Sequence, residues 1–495
     1  MKVRLPFRRS GDHYRISPAW LTLAVLSGVA IAASAVVVAP PKKPTSSVVR
    51  EVTQSGGKLG SVAPVDSSSP NDLQKTSVLP PAPASFQCAA GRNGGATDVG
   101  VTGSEIKLGA TIVNTGIGAS FLHDARYGMT AVANAVNRTG GVCGRKLSLL
   151  LKDDGWKFDL GGDYIRNLVE DKKVFALAVV PSSEGLQNVS NAGYLKKKGV
   201  PVVGSDGMLI HQYLDPYIWP VAASTMSAMH IMVQQAYDAG ARHFGIVYES
   251  TYHFGLEGAV AFNAAVKRVT HAEVPGFSNP FKNAQCKERF CGIANSQVSY
   301  GPQIQVFNNA CLSAPKCDFV ALLLEPATAI SWLTAGALSP SDGIRMGGPQ
   351  PLFTRSFAQQ CGTRCNGLWL WTGYNPPIGA NLGRRAVSDY VNAMQTGSSA
   401  DFTNTFVEGA YLGMTMMVKA LQDVGPQLTR ERLIAVLNNM TLDTGLTPPL
   451  SWRAGDHFAN TRMQAWSIQY KDRFSGWRDE RVELEDLDAG KDIPT

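Results

Sequence analysis

Between Ile106 and Tyr470 the chain alternates short runs of consecutive apolar residues with longer stretches whose apolar positions recur every three or four residues. The short runs predict buried strands and the longer stretches amphipathic helices. Ile106–Val113 (IKLGATIV) is a strand ending at Thr115-Gly116-Ile117-Gly118, and Phe121, Tyr127, Val132 and Val136 mark a helix over 120–138 that stops at Gly140-Gly141. Leu147–Leu151 is the next strand, followed by the turn Asp153-Asp154-Gly155 and a helix over 161–172. Val174–Val180 is a third strand, then come Ser182-Ser183 and a helix to Lys198, and Gly199–Val203 is a fourth strand. After a crossing at Trp219–Ala223 the alternation begins again, with a helix over 225–239, strand Phe244–Tyr248, a helix over 256–269, strand Phe319–Leu324, a helix over 327–337 and strand Leu368–Trp371. Helices over 381–395, 404–423 and 428–438 and the alternating strand Met463–Tyr470 complete the pattern. Two such sets predict an α/β fold of two lobes, each a mostly parallel sheet flanked by helices, with a cleft lined by the loops after the strands.

The N-terminal hundred residues follow another pattern. No charged residue lies between Ile16 and Pro41, and Ala19–Ala39 is almost wholly apolar. As a helix it is long enough to cross a bilayer core of about 30 Å. Five bases and one acid precede it, which orients residues 1–18 toward the cytoplasm. An uncleaved signal anchor over 19–39 competes with a signal peptide cut at Ala33-Ser34-Ala35, and the apolar run through Val36–Val38 favours the anchor. Either way the remainder is exported. Residues 40–99, rich in Pro, Ser, Gly and Ala, read as a linker holding the folded part away from the membrane.

Composition sharpens this picture. Of 495 residues 44% are hydrophobic and 17% charged, enough apolar material for a sizeable core. The net charge of +7 resides in residues 1–50, which hold eight Lys or Arg and one Asp; the other 38 bases and 38 acids cancel. A body without net charge argues against nucleic acid as a partner. All eight Cys (Cys88, Cys143, Cys286, Cys291, Cys311, Cys317, Cys361, Cys365) follow the apolar segment, and an even count in an exported chain reads as disulfides. The pairs 286/291, 311/317 and 361/365 are close enough for local staples, leaving 88 and 143 for a longer one; the rival reading is a zinc site with loose ligand spacing. The eight His show no ligand spacing, and no G-x-S-x-G, G-x-x-x-x-G-K-[ST], H-E-x-x-H or post-strand G-x-G-x-x-G occurs, so an enzyme, a metal and a cofactor are not expected.

Specific phrases occur in this order of elements. They are Gly100-Val101-Thr102, Glu105-Ile106-Lys107-Leu108-Gly109, Val136-Asn137, Gly140-Gly141-Val142, Gly144-Arg145-Lys146 and Asp153-Asp154, with Ser182-Ser183, Gly199-Val200-Pro201, Gly347-Gly348 and the helix Phe406–Leu421 later. Over about 100–478 the chain resembles type I periplasmic binding proteins, in particular the leucine/isoleucine/valine-binding subgroup that serves ABC transporters. The resemblance implies a clamp with crossovers near 222–225, 374–377 and 443–448. The first lobe is then 100–222 plus 376–443, the second 223–375 plus 444–483, and 484–495 is a tail. It also implies that a small-molecule ligand closes the lobes and that an ABC permease is the partner. A tethered sensor with the same clamp is the alternative role.

The resemblance places the ligand carboxylate at Ser182 or Ser183 and at Ser205-Asp206-Gly207. Ser182 and Ser183 can equally be a plain helix N-cap. Phe121 stands where relatives lay an aromatic over the ligand, and Tyr252 and Phe254 are cleft-wall candidates beside His253, a common surface residue. Two departures stand out. Met208 occupies a position where relatives carry Thr, and Gln350 occupies the place of the acid that pairs with a ligand ammonium. A neutral amide compensates a buried ammonium poorly, so Asp206 or Glu325 would have to supply the charge. The ligand expected is a small polar one, an amino acid or a related amide or carboxylate, and Trp156 and Trp219 leave an aromatic one open.

Overall fold

Two open sheets organise the chain. A computed structural model describes Cys88, residues 92–295, 297–397 and 400–469, and the short strands at 473–475 and 479–481. The anchor segment 19–39, the linker as far as residue 87 and the tail 484–495 lie outside the described residues. Among the described residues no helix is long and apolar enough to cross a membrane.

The first sheet contains β1 (Glu105–Ile112), β2 (Lys146–Asp153), β3 (Ala176–Ala178), β4 (Val202–Ser205) and β5 (Ile218–Pro220). They are parallel, in the order β2-β1-β3-β4-β5. Helix α1 (Ala125–Arg138) buries Met129, Val132, Ala133 and Val136, one stripe at helical spacing, and ends where Gly140 and Gly141 take positive φ. The helix expected over 120–138 is interrupted at His123-Asp124, where the Asp124 carboxylate meets His123 Nδ1 and accepts the Asp401 N–H. Helices α2 (Phe158–Glu170) and α3 (Ser183–Asn191) follow β2 and β3. The helix expected to reach Lys198 ends early, at a left-handed Gly193, and resumes as Tyr194–Lys198.

From β5 the chain passes to α4 (Thr225–Asp238) and the second sheet. This holds β6 (Phe244–Glu249), β7 (Cys286–Lys287), β8 (Phe290–Ile293), β9 (Phe319–Leu323), β10 (Arg345–Gly348) and β11 (Trp369–Thr372). Helices α5 (His253–Thr270), α6 (Gly301–Leu312) and α7 (Pro326–Thr334) alternate with them. The chain then returns to the first lobe as α8 (Arg385–Gly397), α9 (Thr405–Val424) and α10 (Arg430–Leu437). A third passage through the short pair β12 (Thr441–Leu442) and β13 (Leu450–Ser451) delivers β14 (Arg462–Gln469), which joins β11 antiparallel. The short strands β15 (Arg473–Ser475) and β16 (Asp479–Arg481) pair with β14.

The β7–β8 hairpin, α6 and β10 are among the elements that had no expectation, as are the short strands β5, β12, β13, β15 and β16. Strand β10 reads Arg-Met-Gly-Gly, and a side chain at Gly347 would lie 2.5 Å from the Trp371 ring. The glycine that lets Trp371 pack also removes the apolar signature of a buried strand. The cysteines pair as 88–143, 286–291, 311–317 and 361–365. No free thiolate is left for the zinc reading. One apolar cluster runs from the inner face of the first sheet through Phe121 and Trp156 to Phe254 and the helices of the second lobe.

Candidate functional site

The loops after β1 and β2 meet at the carboxyl end of the first sheet. Gly116 and Gly118 allow this approach, since side chains there would lie 2.8 Å from the Gly155 carbonyl oxygen and about 3 Å from the Trp156 ring. Trp156 is fully buried and has φ +63°, a left-handed conformation that costs a bulky L-residue roughly 1–2 kcal/mol. Its ring stacks on Tyr252 of the second lobe at 4.3 Å, lies 5.7 Å from Phe254 and meets Phe121 edge-on at 5.3 Å. Phe121, Tyr252 and Phe254, all expected at the cleft, therefore converge on one aromatic cluster that joins the lobes, and Trp156 is its centre. Trp219 instead stacks on His457.

The two serines are engaged inside the first lobe. Ser182 Oγ donates to Asp154 Oδ1 at 2.8 Å, and Trp156 Nε1 donates to Ser183 Oγ at 3.1 Å. Ser182 is the N-cap residue of α3, yet its side chain caps no backbone N–H. Asp153 and Asp154 diverge: Asp153 takes the Asn114 N–H, whereas Asp154 is buried and its Oδ2 has no partner. Burial, only partly offset by hydrogen bonds from Ser182 and Trp156, pushes the Asp154 carboxyl up to about 7.

The loop after β4 closes on itself. Gly207 N–H donates to Gln212 Oε1 at 3.0 Å, while Asp206 Oδ1 accepts Gln212 Nε2 at 2.7 Å and Met208 N–H at 3.2 Å. Ser205 Oγ and Asp206 Oδ2 are buried without partners, and burial raises Asp206 to about 7. A cavity of about 10 Å³, room for one water, lies here between Asp206, Gly204, Tyr374 and Gly409. Gln350 sits in the turn after β10 beside the Tyr374 hydroxyl.

Polar contacts also bridge the lobes. Glu184, the second residue of α3, accepts from the His253 backbone N–H at 2.8 Å and pairs with its Nδ1 at 2.6 Å. Burial alone would lower the imidazole, but the Glu184 hydrogen bond and charge, with Glu257, outweigh it and the net shift is upward. Ile210 N–H donates to Glu257 Oε2 at 2.9 Å, and burial raises Glu257 to about 8. Ser120 Oγ donates to Glu325 Oε2 at 3.3 Å. Glu325 also caps α7 by accepting the Ala327 and Thr328 N–H groups. Beside it Glu249 ends β6, with Oε1 on Thr251 N–H at 2.9 Å and a buried Oε2 without a partner. Burial and the nearby Glu325 charge, against hydrogen bonds from Thr251, bring Glu249 up to about 7.

Glu184, Glu249, Glu257 and His253 carried no signal beyond their residue type, because α3 and α5 approach only in the folded clamp. A wider depression of about 430 Å³ beside Cys286 is lined by Ser250, Gln285, Gln297 and Gln303. None of the residues expected to bind ligand lines it, and the buried acids and interlobe contacts lie elsewhere, so the cleft is the candidate site.

A family model described as periplasmic binding protein matches residues 105–288 and 291–473. Solved structures with the same arrangement include three transporter receptors. The branched-chain amino acid transporter substrate-binding protein of Streptococcus pneumoniae, in complex with isoleucine, is 13% identical over 77% of this chain and 100% of its own, with a TM-score of 0.61. A fatty acid ABC transporter substrate-binding protein from Thermomonospora curvata is 17% identical over 82% of this chain and 98% of its own, also at 0.61. An ABC-transporter solute-binding protein from Rhodopseudomonas palustris, in complex with p-hydroxybenzoic acid, is 14% identical over 77% of this chain and 99% of its own, at 0.63. At such identities the likeness speaks for the fold. No curated protein sequence matches the chain.

Proposed function

Because the chain belongs to the periplasmic binding protein family, a family of extracytoplasmic binding proteins rather than enzymes, we propose that it captures a small polar solute between its lobes and presents it to an ABC importer. The observation that carries this reading is the join between the lobes. It is made by an aromatic stack (Trp156–Tyr252), an ion pair (Glu184–His253) and a hydroxyl–carboxylate hydrogen bond (Ser120–Glu325). These are contacts that a hinge motion makes and breaks without disturbing either sheet. A solute touching both walls favours closure by its differential affinity for the closed form. The three interlobe passages are the hinge, and the segment 19–39 tethers the receptor to the outer face of the cell membrane.

A thermal-shift panel of amino acids, amides, amines and aromatic acids tests the reading. A true ligand at 100 times its Kd adds about 2.7 kcal/mol of native-state stability. Small-angle scattering with the same ligand is expected to show compaction. Unchanged melting and unchanged scattering across the panel would refute a solute clamp.

A further inference from the structure

The cleft is lined by acids. Asp154, Glu184, Asp206, Glu249, Glu257 and Glu325 are each at most 8% exposed, and among the described residues only Glu184 has an ion-pair partner, His253. Two of them stand together on the second lobe. Glu249 ends β6 and Glu325 lies two residues beyond the adjacent parallel β9, with Tyr248 paired to Leu323, so both residues stand at the carboxyl end of the sheet. Glu249 feels the Glu325 charge, and Tyr252 feels both. Glu249 Oε2 is fully buried and unpartnered. Burying an uncompensated acid is costly, and a fold that places two side by side gains most from a cation between them.

A second, independent feature points to the same place. Ser120, one residue before Phe121, reaches Glu325 from the first lobe, so the carboxylate pair lies against the aromatic cluster. There Trp156 holds its left-handed backbone in order to stack on Tyr252. Aromatic faces beside a desolvated carboxylate are a favourable surround for an organic cation. On the opposite wall Ser182 is committed to Asp154, Ser183 to Trp156 and the Gly207 N–H to Gln212, which leaves Ser205 Oγ as the one hydroxyl expected to take a carboxylate that has no partner among the described residues.

We infer that the ligand is a small organic cation, a primary amine or guanidinium, whose charged head is paired by Glu249 and Glu325 while its apolar body lies against Trp156 and Tyr252. This rests on the solute-clamp reading and names its substrate class. The cation partner has thus moved from the turn that carries Gln350 to the ends of β6 and β9.

Calorimetric titration of the exported chain with phenethylamine, agmatine, 2-phenylethanol, isoleucine and 4-hydroxybenzoate decides the matter. Phenethylamine or agmatine is expected to bind, and the neutral alcohol to bind at least about 30-fold more weakly, the smallest loss expected when one member of a desolvated charge pair is removed. Glu249→Gln and Glu325→Gln each lower amine affinity by a similar factor. Melting without ligand confirms that these variants fold. Glu249→Gln, which removes an acid with an unpartnered buried oxygen, is expected to melt unchanged or higher at pH 7.5, and Glu325→Gln, which keeps one amide oxygen to cap α7, unchanged or slightly lower. If the alcohol, isoleucine or 4-hydroxybenzoate binds as tightly as the amines, and the Gln variants bind it equally well, the cation assignment falls while the clamp stands. If none of the five binds, the assignment falls, and unchanged scattering with the wider solute panel then removes the clamp as well.

Discussion

Trp156 shows how much one side chain can decide. It follows the acidic turn after β2, where the backbone has positive φ, and it supplies a stack to Tyr252, an edge to Phe121 and an N–H to Ser183. Aromatic pairs of this geometry contribute about 0.5–1.5 kcal/mol each beyond burial, which offsets the backbone strain. Trp156→Ala keeps the strain and loses the contacts, so urea unfolding is expected to show a loss of about 3 kcal/mol or more. A loss below 1 kcal/mol would mean that the ring is not the centre of the interface. Residue by residue, the resemblance set Phe121 over the ligand and Tyr252 and Phe254, after a strand, on the cleft wall, and the structure gathers the three around Trp156. Trp156 also follows a strand, but its partner lies 96 residues away in the other lobe. Ser182 and Ser183 were visible as hydroxyls at a helix start, and their commitment to Asp154 and Trp156 was not.

Elements were largely legible, for a physical reason. Strands buried on both faces must be continuous apolar runs, and helices covering them must be apolar on one side, so both leave periodic marks. Legibility failed where glycine took the place of a side chain. Helix α9 crosses β4 so closely that an added methyl on Gly413 would lie 2.3 Å from the Gly204 carbonyl oxygen, whereas one on Gly383 would meet nothing within 4 Å. Gly413→Ala is therefore expected to lower the melting temperature by the equivalent of about 1–3 kcal/mol, as overpacking does. Gly383→Ala is expected to change it little. Equal effects would show that the α9–β4 contact can relax. From sequence both are merely glycines in or near helices; which of them carries a crossing is a property of the packed layers.

At the scale of the molecule, the buried acids predict a pH dependence. Asp154, Asp206 and Glu249, raised by burial to about 7, and Glu257, raised to about 8, hold protons in the folded state that the unfolded chain has released. For a raised acid the stabilisation is fully present below the unfolded value and is lost as pH rises through the folded one. His253, whose net shift is also upward, acts in the same sense, its ion pair weakening as it deprotonates. Burial lowers His211, His230 and His457, so these work oppositely as pH falls below their ordinary value. Ligand-free protein is thus expected to melt at lower temperature as pH rises from about 6.5 to about 8 and to level off above that, once folded and unfolded chains have both released these protons. A bound cation that keeps the cleft acids ionised reduces the slope. Melting temperatures that rise over this range would contradict the burial of these acids.

While the two later crossings came from the resemblance, the order of apolar runs by itself determined the two α/β sets, the crossing at Trp219–Ala223, the exported body behind an apolar N-terminal segment and the loops after the strands. These depend on local periodicity and on chain order, which a sequence displays directly. Tertiary structure alone decided the partners: which acids are buried together, which hydroxyls are committed within one lobe, and that Glu184 meets His253 across the gap. A carboxylate in a sequence is the same letter whether water, a histidine or another carboxylate stands beside it. Its neighbours and its desolvation come into being only when two distant loops fold onto one cleft.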